Sequence, residues 1–205
     1  MRCCEKCRPL NSARMFRNPA PILRKPDVQT LLNQKEGCKL VEIGAGCLRN
    51  SIFLLKAGFR VSVLEVPGME ARFPDNFAKF RRLGGTFAAR LPKTKQFGLA
   101  VATFVLETVC EKRLRGKIVR DLCKSLTHSG CLIISVRGPS DLVTARRKGK
   151  RCSDGYLTPG YSFARSYTRG QLLRLLTRSG FRKIEFLHRN SVESPELLHA
   201  LAWRR

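Results

Sequence analysis

Hydrophobic and polar residues along the chain follow two alternating spacings. Short apolar runs, or apolar residues at every second position, are typical of strands, whereas apolar residues three or four positions apart are typical of helices. Strands are predicted over residues 39–43, 60–65, 86–89, 97–104, 131–136, 182–187 and 196–203. Helices are predicted between them over residues 27–33, 50–57, 74–83, 111–126 and 169–178. This alternation predicts an α/β fold.

Several residues are predicted to fix the ends and the buried faces of these helices. Asp27 follows Pro26 and is predicted to cap the first helix, and Thr168 is predicted to cap the last. Gly58 and Gly180 are predicted to end the helices that precede them. In helix 111–126, apolar residues four positions apart predict the buried face, namely Leu114, Ile118, Leu122 and Leu126.

Domain organisation is simple. Residues 1–26 are basic and interrupted by prolines, which predicts a flexible leader, and Met15 is a second candidate start. Residues 27–205 are predicted to form one domain. Within it, residues 138–167 lose the regular pattern and are predicted to form a long basic loop. Long connections in compact domains are usually functional or mobile.

Composition narrows the class of protein. At 205 residues with 43% hydrophobic content, the chain suits one globular domain. It has no apolar run long enough for a transmembrane helix, and its N-terminus lacks the apolar centre of a secretory signal. A cytoplasmic location without a membrane partner is therefore predicted. The nine cysteines lie partly within apolar runs, which predicts reduced, buried thiols. The Cys4–Cys7 pair lacks a second pair at ligand spacing, so no metal site is predicted.

The charge is strongly positive. Forty Lys and Arg against 15 Asp and Glu give a net charge of +25, which attracts polyanions. Nucleic acid is the predicted partner, and a non-specifically basic surface is the alternative. The predicted contacts lie in the 138–167 segment: Arg146, Arg147, Lys148, Lys150 and Arg151. Tyrosines interleave with these cations, a combination that suits stacked bases and phosphates, an anionic small molecule, or a lid.

The stretch VEIGAG, which ends the first predicted strand, predicts a ligand site. Gly44 and Gly46 bring bare backbone close to a ligand, and Glu65 follows about 20 residues after the turn. A carboxylate there suits two ribose hydroxyls, so an adenosine ligand is predicted. Arg49 stands where a dinucleotide turn has its third glycine, and Glu42 favours a cationic ligand over a pyrophosphate. A nicotinamide dinucleotide is the alternative ligand.

Five stretches of the chain carry a family resemblance: VEIGAG, the acid in VSVLEV, the strand FGLAVATFVLETV, SGCLIISVRGPSDL and, after it, SGFRKIEFL. Because of them, residues 28–203 resemble class I S-adenosylmethionine-dependent methyltransferases. The resemblance implies a Rossmann-like α/β/α sandwich whose seven-stranded sheet is parallel except for its last strand. It implies that S-adenosylmethionine binds at Glu42, Gly44, Ala45, Gly46 and Glu65. LRNSIFLLKAGFRVSVLE is also similar to tellurite- and thiopurine-type methyltransferases, in which RNS opens the helix.

The sequence departs from this family at three places. Leu48 stands where a small residue is common, residues 88–91 lack an acid for the adenine amino group, and Gly98 replaces a common aspartate. Glu107 follows the fourth strand, where many members line the active site; a helix-start glutamate is the alternative reading. Arg49 is expected either near the ligand or on the surface, and Asn50 is expected to cap its helix.

The methyl acceptor is left open by the sequence. The residues after the fourth strand, TFVLE, differ from the Asn-Pro-Pro-Tyr type of base-amino methylation, and the chain has no Pro-Cys dipeptide for cytosine-carbon methylation. The candidate catalytic residues are Glu107, Tyr156 and Tyr161. The histidines are read as structural or exposed. The predicted function is methyl transfer to a nucleic acid or a small molecule; the alternative is an inactive methyltransferase-like protein that binds RNA or a ribonucleoprotein.

Overall fold

A computed structural model describes residues 15, 17–92, 94–187 and 197–204. Its main sheet is built from seven strands: β1 (Lys39–Ile43), β2 (Arg60–Leu64), β3 (Thr86–Phe87), β4 (Phe97–Thr103), β5 (Leu126–Arg137), β9 (Phe181–Phe186) and β10 (Leu197–Arg204). Their order is β3-β2-β1-β4-β5-β10-β9. Only β10 runs antiparallel to its neighbours, whereas the other pairs are parallel. The predicted sheet is confirmed.

Helices cover both faces of this sheet. They are α1 (Pro26–Gln34), α2 (Arg49–Lys56), α3 (Met69–Arg72), α4 (Pro74–Arg82), α5 (Lys112–Ser125), α6 (Val143–Lys148) and α7 (Arg169–Arg178), with short 3₁₀ helices at Pro21–Arg24 and Pro139–Leu142. Successive strand residues face opposite sides, so Leu40 joins the apolar cluster under α1, α2 and α4, whereas Val41 joins the cluster under α5 and α7. The predicted three-layer α/β/α architecture is confirmed.

The two predicted helix caps differ in outcome. Thr168 forms a capping box, because its Oγ1 accepts from the backbone N–H of Gln171 and the Gln171 side chain accepts from the backbone N–H of Thr168. Asp27 lies inside the first turn of α1, after Pro26, and Lys25 is the N-cap residue. The cap predicted at Asp27 is therefore wrong; proline occupies the first helical position, where its missing N–H is not needed.

The buried face of α5 also differs from the prediction. Leu122 is fully buried, but Leu114 is 42% exposed. A four-residue spacing drifts by about 40° per step around an α-helix, so a stripe of four such residues leaves the buried face. The face that packs inward contains Arg115 and Val119, each at most 1% exposed.

The described end of the predicted leader packs against the domain. Ala20, Ile22 and Leu23 are fully buried in the apolar cluster under α1 and α2. The backbone N–H of Ala20 donates to Asn50 Oδ1 at 2.7 Å. The domain therefore extends before residue 27, to at least residue 20. The rest of the predicted leader, residues 1–14 and 16, lies outside the described residues.

Residues 138–167, called the insertion from here on, are not a plain loop. After α6 they form a second, antiparallel sheet of three strands: β6 (Lys150–Cys152), β7 (Gly155–Leu157) and β8 (Phe163–Ala164). These strands are two or three residues long, too short to display a period of two in the sequence.

Within the described ranges, none of the helices has the length and apolar character needed to cross a bilayer.

Candidate cofactor and acceptor site

The turn after β1 has an unusual backbone. Gly44, Gly46 and Leu48 all have left-handed conformations, with φ of 59°, 57° and 63°. A Cβ at Gly44 would lie 2.6 Å from Val105 Cγ2, so glycine is required here by the loop after β4 as well as by the backbone angle. The sequence predicted a close approach by a ligand; the structure shows that the chain itself makes a close approach at Gly44. We call residues 44–48 the glycine turn.

Glu65 follows β2 and lies beside the glycine turn. Its Oε2 accepts from the backbone N–H of Gly46 at 2.5 Å, and its Oε1 accepts from that of Val66 at 2.8 Å. Partial burial raises the pKa of the Glu65 carboxyl, and the two backbone hydrogen bonds oppose that shift. The backbone thus fixes the carboxylate at the edge of the cavity described below.

Glu42 lies deeper, in a fully enclosed polar network. Its Oε1 accepts from Asn50 Nδ2 at 2.8 Å, and its Oε2 accepts from the Ser51 hydroxyl. Asn50 Nδ2 also donates to Thr103 Oγ1 at 2.9 Å. Desolvation raises the pKa of Glu42 to about 7, against the effect of these hydrogen bonds.

This network bears on two predicted roles. Asn50 and Thr103 line the cavity, but Glu42 does not, because it is 0% exposed behind them. The structure therefore places Asn50 rather than Glu42 at the cavity wall, and the ligand contact of Glu42 stays a prediction. Asn50 lies within α2, and its side chain donates to Glu42 instead of capping the helix, so the predicted helix cap is wrong.

A single large cavity opens at the carboxyl ends of β1, β2, β4 and β5. Its volume is about 2230 Å³, well above the roughly 300–1000 Å³ of a typical small-molecule pocket. The glycine turn and Glu65 line one side, and the insertion lines another. Leu48 is fully buried in the core and does not fill the cavity. Residues 88–92 form part of the wall without a carboxylate, as the sequence indicated.

Glu107 lies in the loop between β4 and α5 and lines the cavity. It precedes α5 by five residues, so the reading as a helix-start glutamate is wrong. The residue is 1% exposed, and Arg137 Nε lies 3.8 Å from its Oε1. Phe104, at the start of this loop, has a left-handed φ of 59°, a conformation rare for aromatic residues and common near functional sites.

A buried ion cluster that the sequence analysis missed ties this loop to the insertion. Asp154 Oδ2 accepts from both Arg115 Nη2 and Arg165 Nη1. Arg115 Nη1 also donates to the carbonyl oxygens of Val109, at 2.6 Å, and Cys110, at 3.1 Å. No sequence spacing signals this cluster, because Arg115 and Asp154 are 39 residues apart.

Arg165 and Tyr167 extend the same contacts to Glu107. The backbone N–H of Arg165 donates to the carbonyl oxygen of Glu107 at 3.1 Å, and the Arg165 guanidinium lies 4.1 Å from the centre of the Tyr167 ring. Burial raises the pKa of Tyr167 to about 12. Contacts with Arg165 and Tyr167 of the insertion therefore fix the position of the loop that carries Glu107.

The other predicted candidates lie at or beyond the cavity rim. Tyr156 and Tyr161 do not line the cavity, although Gly160 and Ser162 do. All five predicted nucleic-acid contacts are exposed, and only one of them, Lys148, lines the cavity.

Arg49 lines the cavity and donates to the carbonyl oxygen of Asn18 at 3.2 Å. His199 is buried, with Nδ1 2.8 Å from Ser135 Oγ, as a structural reading predicts. His128 is exposed, and His188 lies outside the described residues.

The cysteine and metal predictions concern the same side chains. Among the described cysteines, Cys110, Cys123 and Cys131 are buried, and desolvation raises the pKa of the Cys131 thiol to about 12. The described residues contain no group of three or more His, Cys, Asp and Glu side chains arranged for a metal ion. Cys4 and Cys7 lie outside the described residues.

No protein-family model and no curated protein sequence matches the chain. Solved structures do. A Methanosarcina mazei SAM-dependent methyltransferase is 18% identical, with a TM-score of 0.69, over 88% of this chain and 97% of that one. A Burkholderia thailandensis 1,6-didemethyltoxoflavin-N1-methyltransferase, bound to 1,6-didemethyltoxoflavin and S-adenosylhomocysteine, is 18% identical with a TM-score of 0.63, over 90% and 78% of the two chains.

An S-adenosylmethionine-dependent methyltransferase from Mesorhizobium loti is also 18% identical, with a TM-score of 0.61, over 90% of this chain and all of that one. At this level of identity the likeness concerns the fold. The finer similarity to tellurite- and thiopurine-type enzymes stays a prediction. The strand order, the single antiparallel strand and these likenesses together show that the chain has the fold of class I S-adenosylmethionine-dependent methyltransferases.

Proposed function

We propose that this protein is an S-adenosylmethionine-dependent methyltransferase. The observation that carries the proposal is the position of Glu65: a carboxylate held by backbone hydrogen bonds beside the glycine turn, at the edge of a large cavity at the carboxyl ends of parallel strands. Ligands of open α/β sheets bind at that place. The three solved structures with this fold are described as methyltransferases that use this donor, or contain its demethylated product.

The residues present fit the donor. A carboxylate has about four acceptor positions, and the backbone uses one on each oxygen of Glu65, which leaves acceptors for two ribose hydroxyls. The glycine turn offers bare backbone, and Asn50 and Thr103 offer polar side chains at the cavity wall. Leu91 and Met69 are apolar residues of the cavity wall, which lacks a carboxylate for the adenine amino group near residues 88–92. When bound, the donor supplies an electrophilic methyl group on a sulfonium.

The chain's own residues would then position the acceptor and receive its proton. Glu107 is the buried carboxylate of the cavity wall, and it can accept a hydrogen bond or a proton from an acceptor N–H or O–H group. Arg137 Nε lies 3.8 Å from Glu107 Oε1, close enough to help orient that carboxylate. Much of the catalytic effect would come from orientation in a cavity large enough for two molecules.

Calorimetric titration with S-adenosylhomocysteine tests the proposal. We expect binding by the wild-type chain, and at least tenfold weaker binding by Glu65→Ala, because a hydrogen bond to a charged group contributes about 1.5–3 kcal/mol. Glu70→Ala is the control, since Glu70 is an exposed carboxylate paired with Arg81. Thermal melting of both variants shows whether each remains folded.

The pH dependence gives a second readout. Since the site needs the carboxylate, and burial raises the pKa of Glu65 above its usual value of 4.5, affinity should fall as the pH is lowered towards that raised pKa. Glu65→Ala should lack this component. Binding of a nicotinamide dinucleotide in place of S-adenosylhomocysteine would overturn the proposal, as would unchanged affinity in Glu65→Ala. Absence of binding to either compound would favour the inactive, methyltransferase-like alternative.

A further inference from the structure

Five cations of the insertion form an exposed basic surface. Arg146, Arg147 and Lys148 end α6, and Lys150 and Arg151 begin β6; we call these five residues the basic rim. All five side chains are exposed, and none forms an ion pair with any described residue. Some exposed cations elsewhere are paired, as Lys117 is with Asp121 and Arg81 with Glu70.

The small sheet places the basic rim at the opening of the cavity. Lys150 pairs with Leu157, and Leu157 pairs with Phe163, so the start of β6 and the turn 158–162 lie at the same end of this sheet. A Cβ at Gly149 would lie 2.7 Å from the Leu157 carbonyl oxygen, which shows how closely the end of α6 approaches the turn. The turn 158–162 and Lys148 both contribute to the cavity lining.

The turn 158–162 holds an aromatic ring outward beside this opening. Tyr161 is 52% exposed and has a left-handed φ of 59°, which is strained for an aromatic residue. Its backbone N–H donates to the Thr158 carbonyl oxygen at 2.9 Å, and Thr158 and Ser162 form a further backbone bond across the turn. The turn therefore places an exposed ring next to the cavity-lining residues Gly160 and Ser162, at the end of the small sheet where β6 begins.

We propose that the basic rim and Tyr161 bind single-stranded nucleic acid across the cavity opening. The identification of the methyl acceptor as a base of that strand rests on the proposed function. Unpaired cations neutralise phosphates, and an exposed ring beside them stacks a base. A base unstacked from its neighbours can enter an enclosed site, which a base within a duplex cannot.

The distribution of the cations favours a polymer over a small anion. Of the basic rim only Lys148 lines the cavity, so a small anionic ligand inside it would leave the other four cations unused. A strand that continues outward past Lys148 would meet them in succession. The net charge of +25 adds a long-range attraction for such a polyanion.

Fluorescence anisotropy with labelled 12-nucleotide oligouridine and oligothymidine, and with a duplex of the same length, tests the proposal. The test variant replaces Arg146, Arg147, Lys150 and Arg151 with glutamine. The matched control makes the same change of charge at four exposed cations away from the cavity: Lys56, Lys79, Arg178 and Arg182. Comparison of RNA with DNA shows which strand is preferred.

We expect the single strands to bind more tightly than the duplex, and the basic-rim variant to bind at least tenfold more weakly than the control variant. Each lost phosphate contact should reduce the slope of log K against log salt by about 0.7 for single strands. Equal losses in the two variants would show that the affinity is a property of overall charge, and would overturn the proposal. So would equal affinity for phosphatidylserine vesicles, reduced by the same variant.

Tyr161 supplies a test independent of charge. Tyr161→Asn removes the ring, and asparagine is tolerated in the left-handed conformation, so the turn should keep its shape. We expect about tenfold weaker binding for Tyr161→Asn and wild-type binding for Tyr161→Phe, since stacking needs only the ring. Wild-type affinity in Tyr161→Asn would refute the stacking role.

The outcomes separate this inference from the proposed function. Strand binding that depends on the basic rim, without binding of S-adenosylhomocysteine, would refute the proposed function and leave the nucleic-acid surface standing. Binding of S-adenosylhomocysteine with equal strand affinity in both four-residue variants would refute the surface alone.

Discussion

The two sides of the cavity are built in different ways. On the glycine-turn side, backbone conformation sets the geometry, and a neutral amide and two hydroxyls surround the one buried carboxylate, Glu42. On the insertion side, the carboxylate of Asp154 is shared by two buried guanidiniums. Most hydrogen bonds of the first side join β1, the glycine turn and α2, which follow one another in the chain, and Thr103 is a more distant partner. On the second side the Arg115–Asp154 pair joins residues 39 positions apart. Local sequence therefore predicts much of the first side but not the ion pairs of the second.

The largest effect is expected from breaking the insertion side. Asp154→Ala should lower the free energy of unfolding by about 3–5 kcal/mol, because the substitution leaves Arg115 and Arg165 buried without their carboxylate. A value towards the lower end is expected, since the Asp154 side chain is 34% exposed. Urea denaturation measures the change. Asp121→Ala is the control, because its i,i+4 partner Lys117 is 65% exposed; a loss below about 0.5 kcal/mol is expected there. Equal losses would show that the cluster contributes no more than a surface pair.

The contribution of Glu42, the buried carboxylate of the glycine-turn side, to the free energy of unfolding should depend on pH. The folded pKa of Glu42, about 7, lies above its unfolded value of 4.5, so the folded state holds the proton more tightly. Its contribution is complete below pH 4.5 and is lost as the pH rises to about 7, a change of about 3 kcal/mol. Glu42→Gln should gain that much on wild type between pH 4.5 and 8, because its amide oxygen can accept from Asn50 Nδ2 and its amide nitrogen can donate to the Ser51 hydroxyl oxygen. The exposed Glu36→Gln should follow wild type; a parallel profile for Glu42→Gln would contradict the buried network.

A smaller effect tests why the glycine turn needs glycine. Gly44→Ala should destabilise the fold by about 2–3 kcal/mol, because it combines a left-handed φ with a Cβ 2.6 Å from Val105 Cγ2. Gly84→Ala is the matched control, with a left-handed φ of 84° and no atom within 4 Å. It should show the conformational part alone, about 1 kcal/mol. Equal losses in thermal unfolding would mean that Val105 moves aside freely.

The smallest effect serves as a reference outside both sides. Thr168→Ala removes the capping box of α7 and should cost about 1 kcal/mol, measured by urea denaturation. Thr168→Ser should retain the cap. Both variants should bind S-adenosylhomocysteine as wild type does, because α7 does not line the cavity. Weaker binding in Thr168→Ala would show that ligand affinity falls with overall stability, and would contradict a separate role for each side of the cavity.

Much of the fold was predictable because its signals are local. The apolar runs predicted the bounds of the main-sheet strands within one or two residues, except that β5 begins five residues earlier than predicted. Thr168 was predicted as a cap because threonine precedes the helical pattern, and the structure confirms that cap. In α5 the prediction failed because a four-residue spacing drifts off the buried face. The buried position Arg115 was also missed, because an arginine that pairs with a distant residue, here Asp154, looks like a surface residue in the sequence.

The candidate site was predictable in part for the same reason. Gly44, Gly46 and Glu65 were found from their positions at strand ends, where the topology brings them together. The burial of Glu42 behind the cavity wall was not predictable, since sequence cannot tell a residue at the wall from one behind it. Tyr161 was taken as a catalytic candidate, but the turn 158–162 directs it outward.

The order of elements, the glycine turn, the carboxylate that follows β2 and the excess of positive charge are predictable from local sequence, because periodicity, backbone preference and composition are properties of neighbouring residues. The folded chain is needed to see which carboxylate is enclosed, what holds the loop of Glu107, and that the basic rim lies at the cavity opening. Those features arise from contacts between segments tens of residues apart, and burial, which sets their electrostatics, exists only once the chain has folded.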